Sequence, residues 1–511
     1  MQLAATMFVA PVFAQDGDNG RLAKGLQYGL EMQASLSEGK TPLWMNANKY
    51  GLSSLEESNG YMRAMVCRSL KEDSMRRWGI GYGADVVLPV HYTSNFIIQQ
   101  AYADMRWQKV LLSIGSKERP MELKDGELST GSQTFGINAR PVPQVRFEIP
   151  NYLTLPGMRH WVHVKGHVAF GKMTDENWQH DFTQRKTRYA DGTLYNSKAG
   201  YLMIGKKDGR LRLEVGLEMA ALFGGTAHGV LTSDGTVQTI QCGNSIKDFI
   251  HALVPGGNSE GQTVYLNVAG NHLGSWVGRL SYHSDDYMVS AYFDKYFEDH
   301  SAMFMLDYDG YGQGNNWDKR EDNRFLLYDM KDIMLGGELV MKHARWLNKV
   351  VVEYIYTKYQ SGPIYHDHTK TIPDHLGGND NYYNHYVYPG WQHWGQVMGN
   401  PLYRSPIYNT NGEIMIENNR FTAWHLGFSG NPARRLHYRV LATVQNGFGT
   451  YIKPYNRKHH NLSVLMQAEY GFAGKWRDWS IECGCGFDNG SILGHNKGIQ
   501  LKVKKTGLLG R

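Results

Sequence analysis

Apolar and polar residues alternate along stretches of about ten residues, most clearly in the second half of the chain. In residues 479–487 (WSIECGCGF) every second residue is apolar, and Ser, Glu and Gly lie between them. The same alternation occurs at 211–221, 436–445 and 462–472. Since successive side chains of a strand point to opposite faces, each stretch predicts a strand with one apolar and one polar face. Such strands are typical of transmembrane β-barrels, whereas a soluble sandwich rarely places so many of this length in one sheet.

The pattern predicts an all-β fold, a transmembrane antiparallel β-barrel of about eighteen strands with long extracellular loops. An even strand number is the rule for bacterial single-chain barrels. The predicted strands lie near residues 25–35, 60–69, 77–91, 95–106, 109–115, 144–153, 159–171, 195–206, 209–222, 274–283, 286–297, 333–344, 348–360, 420–430, 435–446, 461–472, 477–488 and 497–506.

Short connections between these strands alternate with mostly long ones. This predicts short periplasmic turns, long extracellular loops and both chain ends on the periplasmic side. Tyr92–Ser94 is the exception, a short connection among the long loops. The long connections span 36–59, 116–143, 172–194, 223–273, 298–332, 361–419, 447–460 and 489–496.

A barrel of this size encloses an aqueous lumen unless something fills it. In the 223–273 loop, Ile246, Phe249, Ile250 and Leu253 share one helical face, and Ser245 is placed to cap the helix. We predict a short helix ending at 255–257 that folds into or over the mouth as a plug. A helix on the surface is the alternative.

The first residues predict export. Residues 3–13 are an apolar run before a small-residue cleavage site, so residues 1–14 are read as a signal peptide. No later stretch approaches the roughly 20 apolar residues of a membrane helix. We therefore predict that residues 15–511 form a barrel in the outer membrane of a Gram-negative bacterium. Its plug and extracellular regions are expected near 116–143, 223–273 and 361–419.

Composition adds little to this picture. The formal charge of +6 is spread along 511 residues without a Lys/Arg block, which argues against nucleic-acid binding. Cys483 and Cys485 lie two apart on one strand and are read as small apolar residues. The sequence leaves open whether Cys67 and Cys242 form a disulfide bond.

Several long motifs, in order along the chain, resemble the Wzi-type capsule assembly proteins, particularly those of Bacteroidetes. The resemblance implies an outer-membrane barrel of eighteen strands, closed by an outer plug, that acts as a lectin retaining capsular polysaccharide on the cell surface. The motifs are TPLWMNANKYGLSS (41–54), GSKERPMELKDGELSTGSQTFGINARPVPQVRFEIP (115–150), GLEMAALFGGTAHG (216–229), GNHLGSW (270–276), YFED (296–299) and YQSGPIYHD (359–367).

Aromatic residues in two long loops are the candidate polysaccharide-binding surface, because flat apolar rings suit pyranose faces and exposed aromatic clusters indicate contact. An interfacial girdle or internal loop packing is the alternative. The candidates are Tyr382, Tyr383, Trp391, Trp394, Tyr403 and Arg404 in the 361–419 loop, and Tyr311 and Trp317 in the 298–332 loop.

Within the 115–150 motif, about thirty residues between two predicted strands have neither a helical nor a strand period, which indicates a functional loop. Buried charges must be paired, so if this loop enters the lumen, we predict a structural ion network with wall residues such as Glu214, Glu218, Glu353, Arg212 or Arg439. Bidentate binding of an acidic polysaccharide through Arg is the alternative. The charged residues of the loop are Glu118, Arg119, Glu122, Asp125, Glu127 and Arg140.

The remaining chemistry is sparse. His366, Asp367, His368, His375, His385 and His393 match no closed zinc pattern. No G-x-S-x-G elbow occurs at a strand-to-helix turn, so we expect neither an enzyme nor a cofactor. The expected partners are capsular or other surface polysaccharide and outer-membrane lipid, and the protein is expected to be a monomer. An outer-membrane porin or channel for small solutes or saccharides is the alternative function.

Overall fold

The lipid-facing wall is a closed antiparallel sheet in the computed structural model of the chain, with strand order following the sequence. The structure describes residues 23–232, 235–254, 270–298, 303, 315, 319, 330–366 and 375–509. The last barrel strand pairs with the first, from Gln27 opposite Leu508 to Glu38 opposite Lys497, so the sheet has no free edge.

Eighteen strands form the barrel, and each overlaps one predicted from the sequence, so the predicted fold class is confirmed. They are β1 Leu26–Glu38, β2 Ser58–Arg68, β3 Trp78–Val90, β4 Ile97–Trp107, β5 Val110–Ser116, β6 Gln144–Thr154, β7 Val162–Lys172, β8 Leu194–Ile204, β9 Leu211–Phe223, β10 Asn271–His283, β11 Tyr287–Phe297, β12 Ile333–Met341, β13 Lys349–Tyr356, β14 Phe421–Ala433, β15 Leu436–Gly449, β16 Pro454–Gly471, β17 Trp479–Gly490 and β18 His495–Leu508.

The distribution of polarity across the wall is opposite to that of a soluble protein. On β1, Leu36 is 60% exposed while the neighbouring Ser35 is 1% exposed. Leu30 and Met32 share the outer face with Leu36, and Gln33 shares the inner face with Ser35. An apolar exterior around a polar interior is what contact with lipid requires of a barrel strand.

The two ends of the barrel differ as predicted. One end carries short turns, including the 3₁₀ helices Leu70–Asp73 and Gly474–Trp476. Exposed tryptophans ring this end, as in the aromatic girdle of an outer-membrane barrel. They are Trp78, Trp107, Trp161, Trp346 and Trp476.

The other end carries the long connections. These contain α1 (Leu43–Asn46), α2 (Trp178–Thr183), α3 (Ile246–Leu253) and the 3₁₀ helix Pro406–Tyr408. They also contain short pairings that are not part of the barrel sheet: Thr226–Leu231 with both Tyr189–Asp191 and Val237–Gln241, Ser361–His366 with His375–Asn379, and Gln392–His393 with Gln396–Val397. Within the described residues, no helix is long and apolar enough to cross a membrane.

Three connections fold back into the lumen: 39–57, 117–143 and 380–420. All four residues of α1 are buried. The largest fully buried side chains include Trp44, Trp391, Tyr383 and Tyr403, all contributed by these connections. The main apolar core of the molecule therefore lies inside the barrel, between inward-folded loops and the wall.

The prediction that the helix in the 223–273 loop forms a plug is wrong. Helix α3 begins at a Ser245 capping box, as predicted. However, Phe249 and Ala252 pack against Ala221 and Phe223 on the outer face of the wall, in a cluster separate from the lumen core. The apolar face of the helix has a docking partner there, so it does not enter the mouth.

Candidate functional site

The 117–143 segment is fastened to the wall by inward-pointing carboxylates. Glu353 of β13 is fully buried. It accepts hydrogen bonds from Thr130 N at 2.8 Å and Thr130 Oγ1 at 2.6 Å. Ser129 Oγ and Tyr292 Oη also donate to it. One wall carboxylate thus satisfies several donors in the middle of the segment.

Two further carboxylates hold the segment on either side of this point. Asp294 forms a 2.8 Å ion pair with Lys124 and accepts a 3.0 Å hydrogen bond from Gln133 N. Glu218 accepts from Ser132 Oγ at 3.2 Å and from Tyr201 Oη at 2.7 Å. Both carboxylates are buried, so their hydrogen bonds are required to offset the loss of hydration.

The charged residues predicted for this segment do lie in a network inside the barrel, with partners that only partly match those expected. Glu353 and Glu218 bind mainly hydroxyl groups, whereas the acids of the segment pair with other basic side chains of the wall. The pairs are Glu118 with Arg63, Glu122 with Lys165, Asp125 with Lys349, and Glu127 with His437. Arg439, one of the expected partners, donates to the main-chain oxygen of Glu127 at 2.9 Å.

Four of the aromatic residues predicted to form an exposed surface are buried. Tyr382, Tyr383, Trp391 and Tyr403 are each at most 1% exposed. Tyr383 Oη donates to the main-chain oxygen of Gln133, which joins the 380–420 segment to the 117–143 segment. The interpretation of these four as exposed sugar contacts is wrong, because their loop folds into the lumen.

The other predicted contact residues have different surroundings. The guanidinium of Arg140 lies 4.1 Å from the Trp394 ring centroid and donates to Ser94 Oγ at 3.0 Å. Arg404 forms a 3.0 Å ion pair with Glu417. Tyr311 and Trp317 lie outside the described residues.

A cavity of about 360 Å³ lies between the 117–143 segment and the wall. Its lining includes Gln144, Arg146, Glu148 and Pro150, alternate residues of β6. At about 3.3 Å per residue, this row extends for about 20 Å along the strand. Aromatic side chains contribute the apolar part of the lining: Phe135, Tyr195, Tyr201 and Trp391.

Charged groups of both signs line this cavity: Lys117, Arg119, Arg140 and Arg146, and the carboxylates Glu118, Glu122 and Glu148. Arg119 donates to Ser113 Oγ at 2.9 Å and to the main-chain oxygen of Lys117. Among the described residues it forms no ion pair with a carboxylate. Burial, and next the positive charge of Arg146, lower the pKa of Arg119 to about 10. Arg146 itself pairs with Glu148, and the charges of Glu148 and Asp104 oppose the lowering of the Arg119 pKa.

His167 lines the same cavity, and its Nε2 atom has no hydrogen-bond partner among the described residues. Sequence reasoning selected Arg119 but missed Arg146, Glu148 and His167, because they lie within predicted strands. The alternation of the strands could have identified them, because every second residue of a barrel strand points into the lumen and these three lie at such positions.

Neither metal nor disulfide chemistry is apparent in the described part of the chain. No group of three His, Cys, Asp or Glu residues there is arranged to hold a metal ion. The four cysteines are free, including Cys67 and Cys242, whose pairing the sequence had left open. His393 binds the main-chain oxygen of Arg140 at 2.8 Å, and Asp367 and His368 lie outside the described residues.

Solved structures with a similar fold include outer-membrane barrels. Pseudomonas aeruginosa OccK5 (OpdH) is 8% identical, with a TM-score of 0.46 over 94% of this chain and 98% of that one. Pseudomonas aeruginosa OprD is 8% identical, with a TM-score of 0.45 over 94% of both chains. Pseudomonas aeruginosa OccK3 (OpdO) is 10% identical, with a TM-score of 0.45 over 96% of this chain and 98% of that one.

The chain is an outer-membrane β-barrel of a Gram-negative bacterium. No family model and no curated protein matches its sequence, so the resemblance to Wzi-type proteins stays a prediction. The prediction of a capsule-retaining lectin is corrected: solved structures similar in fold include those of Occ/OprD porins, and four of the residues assigned to sugar binding, Tyr382, Tyr383, Trp391 and Tyr403, are buried.

Proposed function

We propose that the chain is a narrow outer-membrane channel for small anionic solutes, and that the lumen cavity is its solute-binding site. The observation that carries this proposal is the position of Arg119. Its guanidinium lines an internal cavity beside a second guanidinium, Arg146, without a carboxylate of its own among the described residues. A bound anion would supply the missing charge.

The filled lumen limits the size of the solute. Three inward-folded segments occupy most of the barrel interior, which excludes a wide water-filled pore in this conformation. The cavity of about 360 Å³ is near the lower end of the range for small-molecule sites. The channel is therefore expected to select small molecules and to pass few ions in its resting state.

The chemistry of the lining favours carboxylate-bearing solutes. Arg binds carboxylates bidentately through parallel N–H donors, and such bonds are stronger than those between neutral groups. Tyr195 and Trp391 add ring faces on the same cavity. Together these groups suit a small ring compound with an acidic substituent, such as a sugar acid.

Passage requires the 117–143 segment to move relative to the wall. Beside the apolar packing of Leu123 and Leu128, the contacts between them include hydrogen bonds and ion pairs from Glu353, Asp294 and Glu218, and these can be exchanged for contacts with water or solute. An interface built from apolar packing alone would lack such replacements. The segment is thus the proposed gate of the channel.

Uptake into proteoliposomes tests this proposal. Glucuronate and glucose form a matched pair, because they differ mainly in the carboxylate. We expect glucuronate to enter several times faster than glucose through the parent protein. Arg119→Gln should remove most of this preference, while Lys475→Gln at a periplasmic turn should retain it. Equal entry of both solutes, or no entry through correctly folded protein, would overturn the proposal.

A further inference from the structure

Helix α3 is firmly docked on the barrel. The Phe249 ring lies between Phe170 of β7 and Phe223 of β9, at centroid distances of 5.2 and 5.0 Å. Ala252 is fully buried against the same cluster. Lys198 of β8 donates a 2.6 Å hydrogen bond from Nζ to the main-chain oxygen of Ala252, which occupies one of the free carbonyls at the helix end. The helix therefore has a fixed position.

The docking surface belongs to the lipid-facing side of the wall. On β9, Phe223 has the same side-chain direction as the exposed Leu211 and Leu213, because they are separated by even numbers of residues. Glu218, at an odd separation from them, faces the lumen and contacts Ser132 there. On β7, the exposed Val168 shares its direction with Phe170.

The helix lies at the height of the outer membrane surface. Trp161 marks the periplasmic girdle directly before β7, and Phe170 follows nine positions later. At ~3.3 Å per residue and a strand tilt of ~40°, these residues differ in height by about 23 Å. The apolar band of an outer-membrane barrel is about 25 Å tall. Phe170, and the helix packed on it, are thus at the outer edge of the hydrocarbon.

The exposed side of the helix is divided into two flanks. Ile246, Ile250 and Val254 lie at i, i+4 and i+8 and are 82%, 56% and 62% exposed. Lys247 and His251 occupy the adjacent flank. A helix lying along a membrane surface has this arrangement, with its apolar side toward acyl chains and its polar side toward water.

We propose that α3 is an interfacial helix whose Ile246–Ile250–Val254 flank is inserted among the lipid acyl chains of the outer leaflet. The occupant of this flank is assigned by continuity, because the flank extends the lipid-facing wall formed by β7, β8 and β9. The inserted helix anchors the connection between β9 and β10 to the membrane beside the barrel. This role is independent of solute passage through the lumen.

Two fluorescent labels on the same helix test this proposal. Bimane is attached at Ile250→Cys or, as the matched control, at Lys247→Cys, in chains whose four native cysteines are replaced by Ala. The full chain is reconstituted in phosphatidylcholine vesicles. We expect brominated lipid to quench the label at position 250 at least threefold more than the label at 247, and aqueous iodide to show the reverse order. Stronger iodide quenching at 250 would overturn the proposal.

The unmodified chain provides a second measurement that does not depend on cysteine replacement. In vesicles, a lipid-soluble carbene precursor should label Ile246 and Ile250, while hydroxyl radicals from the aqueous phase should modify His251 in preference to them. Mass spectrometry of the peptide that contains α3 reads both reactions. Hydroxyl-radical modification of Ile246 and Ile250 without carbene labelling would contradict insertion.

Discussion

Glu353 and Thr130 are joined by two hydrogen bonds that end on the same carboxylate oxygen, one from the main chain and one from the hydroxyl group of Thr130. The two residues are separated by 223 positions in the sequence and meet in the middle of the lumen. The carboxylate accepts bonds that a neutral side chain cannot fully replace, so the pair holds the middle of the 117–143 segment to the wall.

Glu353→Gln should loosen this attachment. The amide group has one acceptor oxygen where the carboxylate has two, so at least one donor of the segment becomes unsatisfied. We expect the free energy of unfolding to fall by about 2 kcal/mol. Planar-bilayer recordings should show more frequent channel openings than the parent. Glu38→Gln, at the exposed outer rim, is the control; identical recordings and stability for both variants would contradict the role of Glu353.

The buried pair of Lys124 and Asp294 should show strong energetic coupling. Asp294→Asn leaves a buried ammonium group without its counter-charge, and we expect a loss of about 3–5 kcal/mol. Adding Lys124→Met removes the uncompensated charge, so the double variant should recover part of that loss. A double-mutant cycle in detergent measures the coupling. Strictly additive losses would show that the pair does not act as a unit.

Stability should depend on pH through Lys49. Burial, and next the charge of Lys502, lower the pKa of Lys49 to about 7 in the folded protein. Between pH 7 and its ordinary value of about 10.5, the unfolded chain binds this proton and the folded chain does not, so stability rises with pH. Lys49→Met should therefore stabilise the barrel most at or below pH 7.

The unfolding midpoint temperature can be measured from pH 6 to 10.5 by the change in gel mobility that follows heating. The difference in midpoint temperature between Lys49→Met and the parent should shrink as pH rises, because the parent loses its charge penalty. Comparing the two proteins at each pH cancels the titration of other groups. A constant difference across the range would contradict the assignment to Lys49.

Trp391 should behave as a core residue. Trp391→Ala removes a fully buried indole from the lumen, and we expect a loss of about 3–5 kcal/mol in unfolding free energy. Trp346→Ala, at an exposed periplasmic turn, should cost much less. Urea unfolding in detergent compares the two variants. Similar losses would show that Trp391 does not support the packing inside the barrel.

The strands of the wall could be predicted because the pattern that marks them lies within each strand. Alternation with a period of two marks both faces of a strand, and contact with lipid makes the outer face uniformly apolar. The direction of the loops was not predictable from such patterns. The charges of residues 117–143 predict an ion network inside the lumen, whereas the aromatic residues of the 361–419 loop predict an exposed surface, which is wrong because their partners are distant in sequence. The informative signal was on the strands: Glu218, Asp294 and Glu353 point inward and need donors that the wall does not supply.

The location of α3 was missed for a related reason. Periodicity identified one apolar face and correctly predicted a helix, but it did not specify what the face contacts. Ile246 and Ile250 were assigned to a single face with Phe249 and Leu253. In the structure, Phe249 docks on the wall and the two isoleucines are exposed. The apolar residues of one amphipathic pattern therefore lie in two different environments.

The contacts inside the lumen also determine the order in which parts of the barrel can fold. Trp44 donates its indole N–H to Thr443 Oγ1 at 3.0 Å, across 399 positions of sequence. Tyr383 likewise reaches back to Gln133. A nascent or truncated barrel that lacks β15 and the strands after it has no Thr443 to receive Trp44, so this contact of the first inward-folded loop cannot form. Filling of the interior is thus a late step of biogenesis, coupled to closure of the sheet between β18 and β1.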